Sequence, residues 1–530
     1  MRRVSRLLAG ARRTSTGGKA VEVRAHRAPS VVEVRGERAS RPLGLVLAVS
    51  LGLSACTAGG PDAEVEVLAQ PGEVGLAPVA LGELPALDDP ALDASVSRPR
   101  RDPIYPGVGH PVVDALHYDL DLAWDPEERL LTGRETLLLR VARDSERLVL
   151  DLSPALEVSG VRLDGEQRPF DRRGQDLRVD AEVSTDDRHV LEIDYAGSPE
   201  PVAAPTTRGD FSTNGWTVTD DGDTWTMQEP TGAYSWYAVD DQPADKATYD
   251  ITISVPSPRV GVANGQMISR TESDGVTTTR WSMEQPASSY LVTVATGEYA
   301  LSEAVSSSGV PLSYWVPVGE EDRVDADAGL AEADRGLTWL EEKLGPYPFD
   351  ALGFLFVDSE SGMETQTMIT LGMTEYTTST PVLVHEIAHH WWGDLIGPTT
   401  WRDLWMNEGM AMYLQGAWMA SEEAYTLQQL MDYWAQDEPQ MRAEAGPAAD
   451  YDPATFGEGN AYYSGALMWH EIRGLLGDRE FWRLVREWPQ SMPYGSSDYD
   501  GIVGWWSRES GRDLAPVFDA WLLGETSPQR

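Results

Sequence analysis

Two histidines four residues apart, with a glutamate beside the first, constrain this chain more than any other feature in it. The run Val384-His385-Glu386-Ile387-Ala388-His389 has the pattern H-E-x-x-H. On a helix, positions i and i+4 share a face, so His385 and His389 can aim two imidazole nitrogens at one metal ion. Glu386 lies about 100° further round the helix. From there it reaches a water bound to the metal rather than the metal itself. Two ligands and a general base on one helical turn make the arrangement of a zinc hydrolase. A pattern this short also arises by chance on an ordinary helix with two polar turns. The flanks argue against that reading: Pro381-Val382-Leu383-Val384 and Trp391-Trp392 are apolar, so the helix is expected to be buried. Buried imidazoles and carboxylates need partners.

A third ligand candidate follows. Glu408, in Asn407-Glu408-Gly409, follows His389 with eighteen residues between. A helix, a turn and an antiparallel second helix would return it to the metal. Two His, one Glu and an open fourth position make a catalytic zinc set, not a closed structural one.

At this spacing, His385-Glu386-x-x-His389 and Asn407-Glu408-Gly409 resemble the aminopeptidase N / leukotriene hydrolase family of gluzincins. Ser361-Gly362-Met363-Glu364-Thr365 is similar to that family's G-x-M-E-N motif, some twenty residues before the zinc helix. The resemblance implies one Zn²⁺ per chain held by His385, His389 and Glu408, with Glu386 as general base. It implies a zinc-dependent aminopeptidase acting on peptides with a free amino terminus. Glu364 would face the substrate's α-amine, beside Gly362 and Met363 on the edge strand of the cleft. Thr365 stands where the family has Asn, which puts one hydrogen bond to the peptide in doubt. Glu229 and Gln228, in Met227-Gln228-Glu229-Pro230, match the family's Gln/Glu pair and would also contact the amino end. Tyr462 matches the tyrosine of the Y-x-K-G motif, which donates to the oxyanion. The lysine position is Ser464, and Tyr463 is the adjacent alternative. His390 points elsewhere on the helix and is read as packing. Asp394 is a candidate to orient a ligand imidazole. Trp391, Trp392, Trp401 and Trp405 are read as core.

The remaining features bound the setting. The 530 residues carry 42 basic and 85 acidic side chains. Residues 1–56 hold 11 of the basic and 3 of the acidic ones, so the rest stands at about −51. Phosphate binding needs the opposite sign, so nucleic acid is excluded as a partner. The one cysteine, Cys56, rules out a disulfide within the chain. It ends Leu53-Ser54-Ala55-Cys56, after an apolar run from Pro42 to Leu53 with the length of a signal-peptide core. That tetrad resembles a bacterial lipobox. It implies lipidation of Cys56 and an exported lipoprotein held to the membrane, with residues 1–56 as its signal peptide. The basic segment before the apolar run is long enough to point to a translation start after Met1. No obligate protein partner is evident.

Residues 57–104, rich in Pro, Gly, Ala and acidic side chains, read as a disordered tether. From 105 the texture changes. Alternating runs at 115–122, 135–141, 191–195 and 247–255 predict an antiparallel β-sandwich-like domain over 105–303. Residues 304–530 are expected to form a thermolysin-like α+β, mainly helical, catalytic domain. Within it, helices are predicted at 325–344, 458–476 and 513–523 and a strand at 352–357. The chain is expected to lack the large helical C-terminal domain of many relatives. Three other functions compete: a catalytically silent peptide-binding surface lipoprotein on a peptidase scaffold, an epoxide hydrolase, and a peptidase that cuts internally. The intact His385, Glu386, His389 and Glu408 weigh against the first, and Glu364 against the last.

Overall fold

Along Val113–Asp125, Leu120, Leu122 and Trp124 are buried while Asp121, Ala123 and Asp125 are exposed. That two-residue period makes a strand with one face on a core. The computed structural model describes residues 84–529. In it this strand sits in an eight-stranded sheet with the order Gln266–Ser273, Val276–Ser288, Lys246–Pro256, Val113–Asp125, Leu130–Val141, Arg188–Gly197, Leu156–Leu163, Glu166–Gln167. Every neighbouring pair in it whose register is known is antiparallel except one: Val113–Asp125 runs parallel to Lys246–Pro256, with His117 opposite Thr248. A five-stranded sheet (Val202–Ala203 to Val294–Gly297) and a three-stranded one (Ser145–Asp151, Asp176–Val183, Phe170–Arg173) complete the β-rich domain. All four alternating runs fall inside its strands.

Two expected boundaries move. The strand Tyr299–Val305 pairs with Pro311–Pro317, which continues in parallel to Leu352–Val357. It therefore belongs to the sheet of the second domain, and a boundary at 303/304 would cut through it. The tether expected over 57–104 does not extend to 104 either. Its first part, like Cys56 and the signal segment 1–56, lies outside the described residues. Pro90–Ser95 forms a 3₁₀ turn capped by the Asp89 carboxylate on Ala91 N. Leu92 is buried against Leu116 and Leu138. Ser97 donates to Asp114 and Asp245, and Asp102 accepts from Trp401 N at 2.7 Å. Single anchors of this kind create no hydrophobic period, so the composition alone reads as disorder.

The second domain has a five-stranded sheet with the order Tyr299–Val305, Pro311–Pro317, Leu352–Val357, Met368–Gly372, Gly362–Met363. The two-residue strand Gly362–Met363 is thus an edge, antiparallel to Met368–Gly372. Nine helices follow among the described residues: α1 (Ala326–Leu344), α2 (Thr380–His389), α3 (Trp405–Glu422), α4 (Leu427–Trp434), α5 (Glu438–Ala445), α6 (Gly459–Leu476), α7 (Asp478–Ser491), α8 (Tyr499–Ser510) and α9 (Ala515–Leu522). Asp325 caps α1 through Ala328 N, and Pro381 stands in the first turn of α2, where its missing N–H costs nothing. Trp391, Trp392, Trp401 and Trp405 are all core residues. One hydrophobic cluster runs across both domains. It joins Leu120, Ile251 and Val292 of the β-rich domain to Trp315, Met363, Trp401, Phe456 and Ala461 of the second.

Candidate active site

Helix α2 packs between α1 and α3. Its buried face carries His385 and His389, whose Nε2 atoms lie 3.1 Å apart. The α3 helix returns Glu408 to them. Its Oε2 is 3.2 Å from His385 Nε2 and 3.4 Å from His389 Nε2. Three donor atoms, two neutral-capable nitrogens and one carboxylate oxygen, thus converge on one point from buried side chains. That donor set and that convergence fit zinc. Each imidazole is held by its other nitrogen. His385 Nδ1 is 3.1 Å from Gln415 Oε1, and His389 Nδ1 is 3.2 Å from the Trp392 carbonyl. These contacts fix ring orientation and leave Nε2 free to ligate. The spacing of the motif carries no sign of Gln415, about two turns past Glu408 along α3.

The expected orienting role of Asp394 is corrected. Its carboxylate lies 3.6 Å from His390 Nε2, not beside a ligand. His390 itself is a packing residue: Tyr347 OH is 2.8 Å from its Nδ1, and Phe349 packs on the ring. Burial pushes this imidazole down to about 3, so it stays neutral.

Glu386 lies with Glu364 against His389, their nearest ligating atoms all within 4.8 Å of one another. Burial raises the Glu386 carboxyl to about 8. His389 opposes the shift, and Glu364 and Glu408 add to it. Burial also pushes Glu408 up, but the two imidazoles outweigh it and hold this carboxylate well below the usual range. Gly362 borders Glu386 directly. A Cβ there would stand 3.2 Å from Glu386 Oε1 and 2.9 Å from Leu371 Cδ2, so a side chain would press on that carboxylate. Met363 is buried in the shared core. It pairs with Thr370 on the neighbouring strand and so fixes the edge strand.

Glu229 is brought in by a loop of the β-rich domain. It groups with Glu364 and Glu408, again within 4.8 Å. Both Glu229 Oε1 and Glu364 Oε1 are buried with no hydrogen-bond partner. Burial raises the carboxyl pKa of both above the ordinary value. Gln228 differs from expectation. Its amide donates to the Ser289 and Val292 carbonyls at 2.7 and 2.8 Å, and its oxygen accepts from Trp236 Nε1 at 2.9 Å. With all three bonds made inside the domain, Gln228 shapes the loop that presents Glu229 and does not reach the cleft. Thr365 is likewise turned inward, its hydroxyl 2.9 Å from that of Thr370.

Of the two tyrosines, Tyr462 is in the site and Tyr463 in the core. The Tyr462 ring stacks near His385, centroids 6.0 Å apart at 20°, whereas Tyr463 packs edge-on against Trp434. Burial, with Glu408 nearby, pushes the Tyr462 phenol well above its ordinary value, so it keeps its proton. Arg208 was not foreseen. It arrives from the β-rich domain, 254 residues away in sequence, and donates to Tyr462 OH at 3.2 Å. Asp210 and the Gly457 carbonyl hold the guanidinium. Ser464, at the motif's lysine position, faces away and bonds Glu438 at 2.7 Å.

Comparison with known proteins agrees with this geometry. Residues 114–291 match the Peptidase M1 N-terminal domain and residues 329–521 the Peptidase family M1 domain. The chain is 26% identical over 439 residues to aminopeptidase N of Streptomyces lividans, covering 77% of this chain and 50% of the relative. It is 28% identical over 426 residues to aminopeptidase B of Rattus norvegicus, covering 69% and 61%. The chain therefore spans about half the length of the first relative and under two thirds of the second. Its fold matches the crystal structure of an M1 zinc metallopeptidase from Deinococcus radiodurans with a TM-score of 0.72 at 24% identity, over 81% of this chain and 97% of that one. With both domains of the family matched in order and the H-E-x-x-H…Glu set assembled, the chain belongs to peptidase family M1.

Proposed function

We propose that the protein is a zinc aminopeptidase that removes the first residue from peptides with a free amino end. One observation carries this reading: two buried carboxylate oxygens, on Glu229 and Glu364, lack any partner and lie beside the metal-ligand set. Unpaired buried acceptors are costly. A protonated α-amine placed between them would satisfy both and put the first peptide bond next to the metal.

His385, His389 and Glu408 would hold zinc, which supplies Lewis acidity and makes a water acidic enough to react near neutral pH. Glu386 accepts the proton of the attacking water and passes it to the departing amine. Tyr462 donates its phenolic hydrogen to the oxygen that gains charge as the carbonyl is attacked. Arg208, donating to that same phenol oxygen, makes it a stronger donor. The free edge of Gly362–Met363 pairs with the extended peptide main chain. A Deinococcus radiodurans relative of the same fold has been crystallised with the substrate Tyr-Ser-Ala, which supports a peptide as ligand. The rival readings as a silent binder or an epoxide hydrolase draw no support from the relatives reported above.

The test is a panel of aminoacyl chromogenic substrates, each also N-acetylated, assayed with and without a chelator. Chelator-sensitive cleavage of the free-amine forms alone is expected. Equal cleavage of acetylated forms would remove the role of Glu229 and Glu364. We infer from the Leu53-Ser54-Ala55-Cys56 lipobox that the chain is exported and lipid-anchored. Among the described residues, no helix is long and apolar enough to cross a membrane. Cys56→Ser should move the protein from the membrane to the soluble fraction; unchanged fractionation refutes the anchor.

A further inference from the structure

A second group of ligating side chains lies in the β-rich domain, and none of its members belongs to the catalytic set. Asp151 ends the strand Ser145–Asp151 and pairs in register with Asp176, which opens Asp176–Val183. His110 reaches both from the segment before the first strand. Its Nε2 lies 3.7 Å from Asp151 Oδ1 and 3.7 Å from Asp176 Oδ1, and the three ligating atoms lie within 4.8 Å of one another. These separations are too long for hydrogen bonds, and they are close to the 3.1–3.4 Å spacings of the catalytic donors. Ligands about 2.0–2.2 Å from a common ion stand at such distances from each other.

Two atoms aimed into this gap are unsatisfied. Asp151 is completely buried, yet its Oδ1 has no hydrogen-bond partner, and neither has His110 Nε2. The other Asp151 oxygen is occupied, accepting from Gly109 N at 2.7 Å and more loosely from Asp241 N at 3.4 Å. The carboxylate is therefore locked with one oxygen bound to backbone and the other turned toward His110. Asp240, also buried, accepts from His110 N and fixes the backbone that carries the imidazole. Asp151, Asp240 and Asp241 together place three buried carboxyls around this point. Among the described residues, no lysine or arginine pairs with any of them or with Asp176. Asp176 and His110 are partly exposed, with side chains 29% and 14% accessible, which leaves a path for an ion and room for waters to complete its shell.

We propose that His110, Asp151 and Asp176 bind a second divalent cation. One imidazole and two carboxylates favour a borderline metal such as zinc over calcium or magnesium, which take oxygen ligands. The ion would tie the segment before the first strand to the edge of the three-stranded sheet. Asp151 bonds the backbone of Val239 in both directions, so the ion would brace the stretch that follows the Glu229 loop.

The full chain, stripped with chelator, reloaded with Zn²⁺ and desalted, should hold two zinc ions by elemental analysis. Asp176→Asn and His110→Gln should each hold one, with kcat/KM on an aminoacyl substrate changed less than twofold. His389→Ala, which dismantles the catalytic set, should still hold one ion, and added His110→Gln should remove it. The proposal is overturned by a single zinc in wild type that survives His110→Gln. It is equally overturned by two zinc ions in folded Asp176→Asn and His110→Gln, or by none in folded His389→Ala. Far-UV circular dichroism confirms that each variant is folded before its metal is counted.

Discussion

Glu386 sits among Glu364, Glu408 and His389 without being a donor of the convergent set, so its role separates cleanly from metal holding. Glu386→Gln should retain zinc and lose nearly all turnover; substantial activity in that variant would sink the proton-transfer role. Tyr462→Phe should lower kcat by about 10²–10³, the scale of one lost oxyanion donor, with KM little changed. Arg208→Lys, which keeps the charge but loses the fork that Asp210 grips, should fall between wild type and Tyr462→Phe. Tyr463→Phe should turn over normally, because its ring packs on Trp434; a loss equal to that of Tyr462→Phe would exchange the two roles. At this scale the sequence was legible wherever helical periodicity or a short motif sets the geometry, as for His385, His389, Glu386 and Glu408. It was not legible for Arg208 or Gln415. Arg208 reaches Tyr462 from another domain, and Gln415 meets His385 through packing of α2 on α3. No local spacing encodes either contact.

Helices α3 and α6 meet through two glycines. A Cβ on Gly409 would lie 2.7 Å from Gly465 Cα, and one on Gly465 would lie 2.6 Å from Gly409 Cα. The contact is backbone on backbone, so neither helix can take a methyl group without moving. It matters because Glu408 precedes Gly409 on one helix and Tyr462 stands a turn before Gly465 on the other. Gly465→Ala should destabilise the fold by about 1–3 kcal/mol, the range for overpacking. It should lower kcat while the chain still binds zinc, as judged by activity and metal content together. An unchanged kcat would show that α6 tolerates the shift. The glycine in Asn407-Glu408-Gly409 thus has a packing reason. Most strands and helices were readable because alternation and 3.6-residue periods follow directly from burial. The ordered 84–104 segment and the start of the second sheet at Tyr299 were not. Leu92 and Asp102 are isolated anchors, and Tyr299–Val305 alternates like the strands before it while pairing with Pro311–Pro317 after it.

Carboxyls buried within the two domains give the whole molecule a pH signature. Burial raises Asp241 to about 6 and Asp403 to about 7, against hydrogen bonds from Gly232 N and Ser289 Oγ to the first, and from Trp405 Nε1 and Tyr499 N to the second. The folded chain therefore binds these protons more tightly than the unfolded chain, whose carboxyls titrate near 4. Their stabilising contribution is full below about pH 4 and lost as pH rises through 6 to 7. The unfolding midpoint of chelator-stripped wild type should fall more steeply, or climb less, from about pH 5 to about pH 7.5 than that of the Asp241→Asn/Asp403→Asn variant, in which the other titrating groups, His390 among them, are unchanged; equal slopes would mean that neither carboxyl is raised when folded.

The hydrophobic cluster that runs from Leu120 to Phe456 has one more consequence. Ribosomes make Arg208 and Glu229 long before they reach His385, Glu408 and Tyr462, yet the two sets must sit on either side of one cleft. A nascent or proteolysed chain that lacks either half has no complete cutting apparatus, so activity arises all at once when the halves fuse. Two polypeptides divided at the exposed Glu298, ahead of the strand Tyr299–Val305 that opens the second sheet, would each be inert and would regain turnover only on mixing.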